Sequence, residues 1–162
     1  MSLATLRLDG FSVRPASVED LPAILEIERK AYPLPWTEKQ FKEEFERPYS
    51  RFLVLTDDET DSQIAGYTVC WQMFDETHIL NVTTNPEWRG LGIGTYFVRH
   101  IMGEAAKKDH KRVFLEVRKN NKAAVELYQK LGFFIDHIKP EFYSDKEDAY
   151  FMVRFVDRES QF

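Results

Sequence analysis

Residues 88–97, WRGLGIGTYF, place glycine at three alternate positions, Gly90, Gly92 and Gly94, and then run straight into a chain of helix formers. Glycine costs about 1 kcal/mol per position in a helix interior relative to alanine, so such a start implies a need for bare backbone. Anion binding is the function that uses it. A helix N-terminus presents unpaired N–H groups and a partial positive charge, and glycines let a phosphate come close to them. The alternative is a glycine-rich turn that merely starts a helix. A nucleotide-hydrolysing P-loop is excluded, because Gly94 is followed by Thr95 and Tyr96 rather than by lysine and Ser or Thr. A dinucleotide fingerprint reads GxGxxG after the first strand of a fold, whereas this stretch reads GxGxG in mid-chain. What remains is a pyrophosphate held by Arg89-x-x-Gly92-x-Gly94.

The flanking patterns define the setting. FSVR (11–14) reads as a short strand, and Ser17-x-x-Asp20 as a capping-box-like start of a helix to about Lys30, with Leu21, Ile24, Leu25 and Ile27 on one side. YPLP breaks that helix, and Thr37-x-x-Gln40 caps a second one through about Glu46. RFLVLT (51–56), IAGYTVCW (64–71) and THILNVTT (77–84) read as successive strands, the first two joined by the polar turn 57–63. After the glycine loop come a helix from Ile93 to about Lys108, the strand RVFLEVR (112–118), and a helix capped by Asn121 and closed by Gly132. FFIDHI (133–138) and AYFMVRF (149–155) read as closing strands. The order βααβββαβαββ predicts an α+β fold with a mixed sheet flanked by helices.

At 162 residues and 43% apolar content the chain suits a single domain over 1–162, with its core at about 11–155. No apolar run nears the roughly 20 residues of a membrane span, and MSLATLRLDGFSVRP lacks the start of a signal peptide, so a soluble cytoplasmic protein is expected. The net charge of −5 argues against direct nucleic-acid binding. Cys70 falls in an apolar strand pattern and reads as an inert core thiol. His78, His100, His110 and His137 are scattered without ligand spacing, so no metal site is expected.

With these elements in place, the sequence resembles the GNAT acetyltransferase superfamily, which transfers the acetyl group of acetyl-CoA to an amine. RGLGIG resembles its pyrophosphate loop, while LEVRKNNKAAVELYQKLGF (115–133) and FYSDKEDAYFM (142–152) are similar to protein N-terminal acetyltransferases of the RimI type and their archaeal relatives. The resemblance implies that acetyl-CoA lies with its pyrophosphate on Arg89, Gly90, Leu91, Gly92, Ile93, Gly94 and Thr95. It places the pantetheine against the backbone of Val82, Thr83 and Thr84, with Asn121 touching the cofactor. It also implies a protein or peptide N-terminus as acceptor, a ribosomal protein being one such substrate, and a monomer or weak dimer.

Acetyl transfer needs a neutral amine and a proton for the departing thiolate, and Glu116 and Tyr128 match the family's base and acid. Read from the residues alone, Glu116 shares a strand face with Phe114 and Arg118, so a structural pair with Arg118 is the competing reading. For Tyr128, at helical spacing with Ala124, Leu127 and Leu131, that alternative is core packing with a backbone-bonded hydroxyl. An α-amino group has a pKa near 8 against about 10.4 for lysine, so a modest base suffices for an N-terminus. The acceptor groove is expected between YPLPW, contributing Pro35 and Trp36, and the last hairpin, contributing Tyr143. Where the family often carries two tyrosines, this chain has Phe142 and Tyr143. The competing functions are acetylation of a small amine or a lysine, and a non-catalytic CoA-binding regulatory module.

Overall fold

The computed structural model describes residues 9–60 and 63–157; most of the N-terminal stretch read for a leader, and Asp61 and Ser62 of the polar turn, lie outside the described residues. The elements follow the expected order: β1 (Phe11–Pro15), α1 (Leu21–Ala31), α2 (Glu38–Glu46), β2 (Ser50–Asp57), β3 (Ile64–Met73), β4 (Glu76–Thr84), α3 (Ile93–Lys107), β5 (Arg112–Arg118), α4 (Lys122–Lys130), β6 (Phe134–Lys139) and β7 (Ala149–Phe155). Ser17 and Asp20 bracket a single 3-10 turn ahead of α1, and Asp20 accepts the Ser17 backbone N–H at 2.8 Å. Thr37 and Gln40 form the reciprocal capping box that starts α2.

Seven strands form one sheet in the order β1-β2-β3-β4-β5-β7-β6, an α+β architecture. Every neighbouring pair is antiparallel except β4 and β5, which the α3 crossover makes parallel. Helices α3 and α4 cover one face, burying Val98, Ile101, Met102 and Val125 against Ile79, Val113, Leu115 and Met152. On the other face, Leu21, Ile24 and Phe41 of α1 and α2 pack on Phe52, Val54, Tyr67 and Val69 of β2 and β3. Phe114, Glu116 and Arg118 of β5 point to that second face and stay half-buried, because α1 and α2 pack over the other half of it.

The feature that shapes the site is a mismatch in β4. Cys70 pairs with Ile79 but Val69 pairs with Asn81, so Leu80 is an extra residue on β4. A bulge bends its strand and sharpens the twist. Pairing between β4 and β5 stops at Ile79 and Leu115, immediately before the bulge, and the two parallel strands part beyond it. A fork opens in the middle of the sheet.

Gly66 of β3 lets α3 press onto the sheet behind that fork, close beside the Thr83 carbonyl of β4. A Cβ there would sit 2.7 Å from the Thr83 carbonyl oxygen, 3.0 Å from Ile93 and 3.1 Å from Phe97. Backbone cannot yield as a side-chain tip can, so Gly66→Ala should destabilise the fold by about 1–3 kcal/mol through overpacking. Chemical denaturation with unchanged slope checks this, and an alanine variant as stable as the parent would contradict it.

Candidate active site

Gly92 caps α3 in the left-handed region at φ 80°, with no side chain closing the helix end. Its conformation turns the 89–95 loop so that the first N–H groups of α3, which lack intrahelical partners, face outward together. Arg89, Gly90 and Leu91 are exposed beside them, whereas Ile93 is buried and anchors the helix. Gly94 is helical, and a Cβ on it would meet only Leu127 at 3.5 Å. The loop can take a diphosphate along bare backbone. Asn121 accepts the Ala124 N–H at 3.2 Å, so its side-chain oxygen serves as the cap of α4.

Beyond the bulge, the phase of β4 is set by Asn85, whose N–H donates to the Ala65 carbonyl at 2.8 Å. In an antiparallel ladder every second residue faces the partner strand, so Thr83 turns its backbone to β3 while Val82 and Thr84 turn theirs into the fork. The expectation that Thr83 offers its backbone there is corrected by this alternation. Its hydroxyl instead lies 2.8 Å from the Tyr32 hydroxyl. Tyr32, just past α1, also donates to the Val82 carbonyl at 3.2 Å. Burial pushes the Tyr32 phenol up to about 12, so it keeps the proton it donates to Val82.

Tyr32 belongs to a buried polar network centred on Glu28, which is 1% exposed. The Glu28 carboxylate accepts from the Tyr67 hydroxyl at 2.9 Å, from Asn81 Nδ2 at 3.0 Å and from the Trp36 N–H at 3.5 Å. Burial raises the pKa of Glu28, only partly offset by the Asn81, Tyr67 and Trp36 donors. This network joins α1 and the segment after it to β3 and β4 beside the fork. A trace of it exists in the sequence: Leu21, Ile24, Leu25 and Glu28 continue one helical stripe, so a carboxylate occupies an apolar position.

Glu116 stands at the mouth of the fork. Its Oε2 lies 2.6 Å from His78 Nε2 and its Oε1 accepts from Lys139 Nζ at 2.9 Å. The reading that paired it with Arg118 is corrected: Arg118 reaches Asp145 at 2.9 Å and Glu147 at 3.7 Å, and lies 4.1 Å over the Tyr143 ring. Burial pushes the Glu116 pKa up, but the bonds from His78 and Lys139 outweigh it and leave it below its ordinary value. His78 is itself stacked on Phe114 at 4.4 Å. Alternation along β6 does not give Lys139, which lies past an irregularity in its ladder, whereas His78 stands in the regular register of β4 with β5, opposite Phe114.

Tyr128 of α4 packs edge-on against Phe133 at 5.7 Å, in keeping with a core position. Among the described residues its hydroxyl makes no hydrogen bond, so the backbone bond expected for a purely structural tyrosine is absent. Burial raises its pKa, and the nearby Tyr32 and Tyr143 add to the effect. Three phenols thus converge at the fork from α4, α1 and the β6–β7 loop. Tyr143 is pushed up to about 12, chiefly by burial. Of the expected groove residues, Trp36 packs on Phe41 at 5.1 Å and Pro35 is exposed in the loop before α2. Cys70 is fully buried, with its thiol pushed up to about 12 by burial. Among the described residues no group of three or more His, Cys, Asp or Glu could hold a metal, and no helix is long and apolar enough to cross a membrane.

Residues 21–133 match the acetyltransferase (GNAT) family model. The [ribosomal protein bS18]-alanine N-acetyltransferase of Escherichia coli K12 is 31% identical over 136 residues, covering 82% of this chain and 89% of its own. The N-alpha-acetyltransferase of Sulfurisphaera tokodaii is 30% identical over 156 residues, covering 88% of this chain and 91% of its own. The crystal structure of the ribosomal-protein-S18-alanine N-acetyltransferase from Escherichia coli superposes with a TM-score of 0.82 at 28% identity, over 93% of this chain and 96% of that one.

Two outcomes test this geometry. Valine at Gly92 must enter the left-handed region, at about 1–2 kcal/mol, and stand over the bare N–H groups, so Gly92→Val should weaken acetyl-CoA binding by about tenfold or more while Gly94→Ala changes it little. Calorimetric titration of the folded variants separates the two. Because the folded pKa of Glu28 lies above its unfolded value, the protonated acid is the form folding favours. That contribution is complete below the unfolded pKa and is lost as pH rises through the folded one. Gln mimics the protonated acid, so the melting temperature of Glu28→Gln relative to the parent should climb between pH 4 and 7; a flat difference would contradict the assignment.

Proposed function

The chain belongs to the GNAT acetyltransferase family and is an acetyl-CoA-dependent N-acetyltransferase, and we propose that its acceptor is the α-amino group at a protein N-terminus, of the alanine-first ribosomal-protein type for which its E. coli relative is named. The observation that carries this reading is the fork itself, with the ionised Glu116 at its mouth and the buried Tyr128 hydroxyl reaching it from α4. The donor set fits acetyl-CoA: outward N–H groups at Gly92–Thr95 for the pyrophosphate, and the Val82 and Thr84 backbone for an amide-bearing arm. Bound there, acetyl-CoA supplies the thioester acetyl group.

The chain's own residues supply the proton traffic. Glu116, held ionised, is too weak a base to strip an ammonium directly, but it orients a water that takes the proton as the amine attacks. A low-pKa N-terminal amine suits so modest a base, whereas a lysine does not. Tyr128 keeps its proton through neutral pH and donates it to the departing sulfur. Tyr32 and Tyr143 flank the path of an extended peptide between the α1–α2 segment and the β6–β7 loop.

Peptides varying in their first two residues, offered with acetyl-CoA beside free amines and lysine peptides, test the acceptor. Acetyl found by mass spectrometry on α-amines alone is the expected outcome, and transfer confined to lysines or small amines would defeat the proposal. Glu116→Gln should lower turnover by about a hundredfold, the loss shrinking as pH rises and the amine becomes neutral unaided. Tyr128→Phe should lower turnover with cofactor affinity and melting temperature nearly unchanged. Full activity in both variants would return Glu116 and Tyr128 to structural roles.

A further inference from the structure

Edge strand β6 carries a second irregularity with a consequence for chemistry. Ile135 pairs with Met152, but His137 rather than Asp136 pairs with Phe151, so Asp136 is an extra residue. Without it, Ile138 would stand opposite Ala149 and Lys139 would fall on the α3–α4 face. With it, Lys139 pairs with Ala149 and shares a face with Phe151, the cross-strand partner of Glu116. The Lys139 ammonium lies over two rings, its Nζ 4.7 Å from Phe151 and 5.3 Å from Phe142. The ammonium group then meets Glu116 Oε1 at 2.9 Å.

We propose that Lys139 is a positioning residue for acetyl transfer, its ammonium group keeping the Glu116 carboxylate charged and turned to the mouth of the fork beside His78. The inference rests on the reading of Glu116 as the base. The physical argument is a competition. Glu116 is only 10% exposed by its side chain, and burial by itself favours the neutral acid, which cannot take a proton. Each group facing it bears on the balance. His78 of β4 and Lys139 of β6 bond it directly, and Tyr143 of the β6–β7 loop is a neutral phenol. Arg118, two residues along β5, is answered by Asp145 and Glu147; Arg112 at the far end of the strand is bonded to Glu76, and His137 lies against Asp136. Among these groups Lys139 is the lysine that touches the carboxylate.

The experiment compares kcat/KM for one peptide acceptor from pH 5 to 9 in the parent, Lys139→Met and Lys139→Arg. Dividing variant by parent cancels the titration of the peptide's own amine. Removing a cation in contact should raise the Glu116 pKa, so the Lys139→Met ratio should be near one at high pH and fall progressively toward the acid end of the range. The loss should appear in kcat rather than KM, and arginine should restore the parent profile. Methionine keeps an unbranched side chain of similar length without the charge, and melting temperature and acetyl-CoA affinity report whether the fold survives. Should it not, Lys139→Gln and an NMR titration of the Glu116 carboxyl carbon ask the same question. A pH-independent ratio, an unmoved carboxyl titration, or no restoration by arginine would overturn the proposal. Full turnover by Glu116→Gln would remove the base reading and this inference together, whereas an inactive Glu116→Gln beside a flat Lys139→Met ratio would remove the inference alone.

Discussion

The site depends on two parallel strands that pair for four residues each and then separate. Had β4 and β5 stayed in register to their ends, the Val82 and Thr84 backbones would be spent on the ladder and the sheet would be closed. The extra residue Leu80 prevents this. Backbone groups exposed inside a sheet must find partners, and here Tyr32 serves the Val82 carbonyl from α1. The rest of the molecule holds the fork from both faces: α3 lies close behind it because Gly66 has no side chain, and the Glu28 network fastens α1 in front.

Two carboxylates on the same side of the sheet illustrate how environment divides roles. Glu28 is surrounded by neutral donors, so burial dominates and its pKa rises. Glu116 is partly shielded but touches an ammonium and an imidazole, and its pKa falls. The first is suited to holding elements together, most strongly where it is protonated. The second keeps a charge where chemistry can use it.

Much of this was legible in the sequence. The element order follows from periodicity, the Thr37–Gln40 box and the Asn121 cap behave as their residue types dictate, and the alternation of Val113, Leu115 and Val117 puts Glu116 on the opposite face. What escaped has a common cause: alternation is counted by parity, and a single extra residue reverses it. Leu80 does so for the β4 backbone at Val82 and Thr84, and Asp136 does so for Lys139. Glu28 escaped for a different reason. A carboxylate in an apolar stripe declares itself unusual, but its partners Tyr67 and Asn81 lie 39 and 53 residues away, and nothing local names them.

The bulge at Asp136 has an effect on the molecule's company as well as on its chemistry. Strand β6 is the outer edge of the sheet, and Phe134, Ile135 and Ile138 on it are exposed. A straight apolar edge of that kind is a template on which another chain can add a strand. The extra residue breaks the spacing of its free N–H and C=O groups, and Asp136, His137 and Lys139 set charged and polar groups among the apolar ones. The same kink that turns one lysine inward therefore guards the protein against edge-to-edge aggregation.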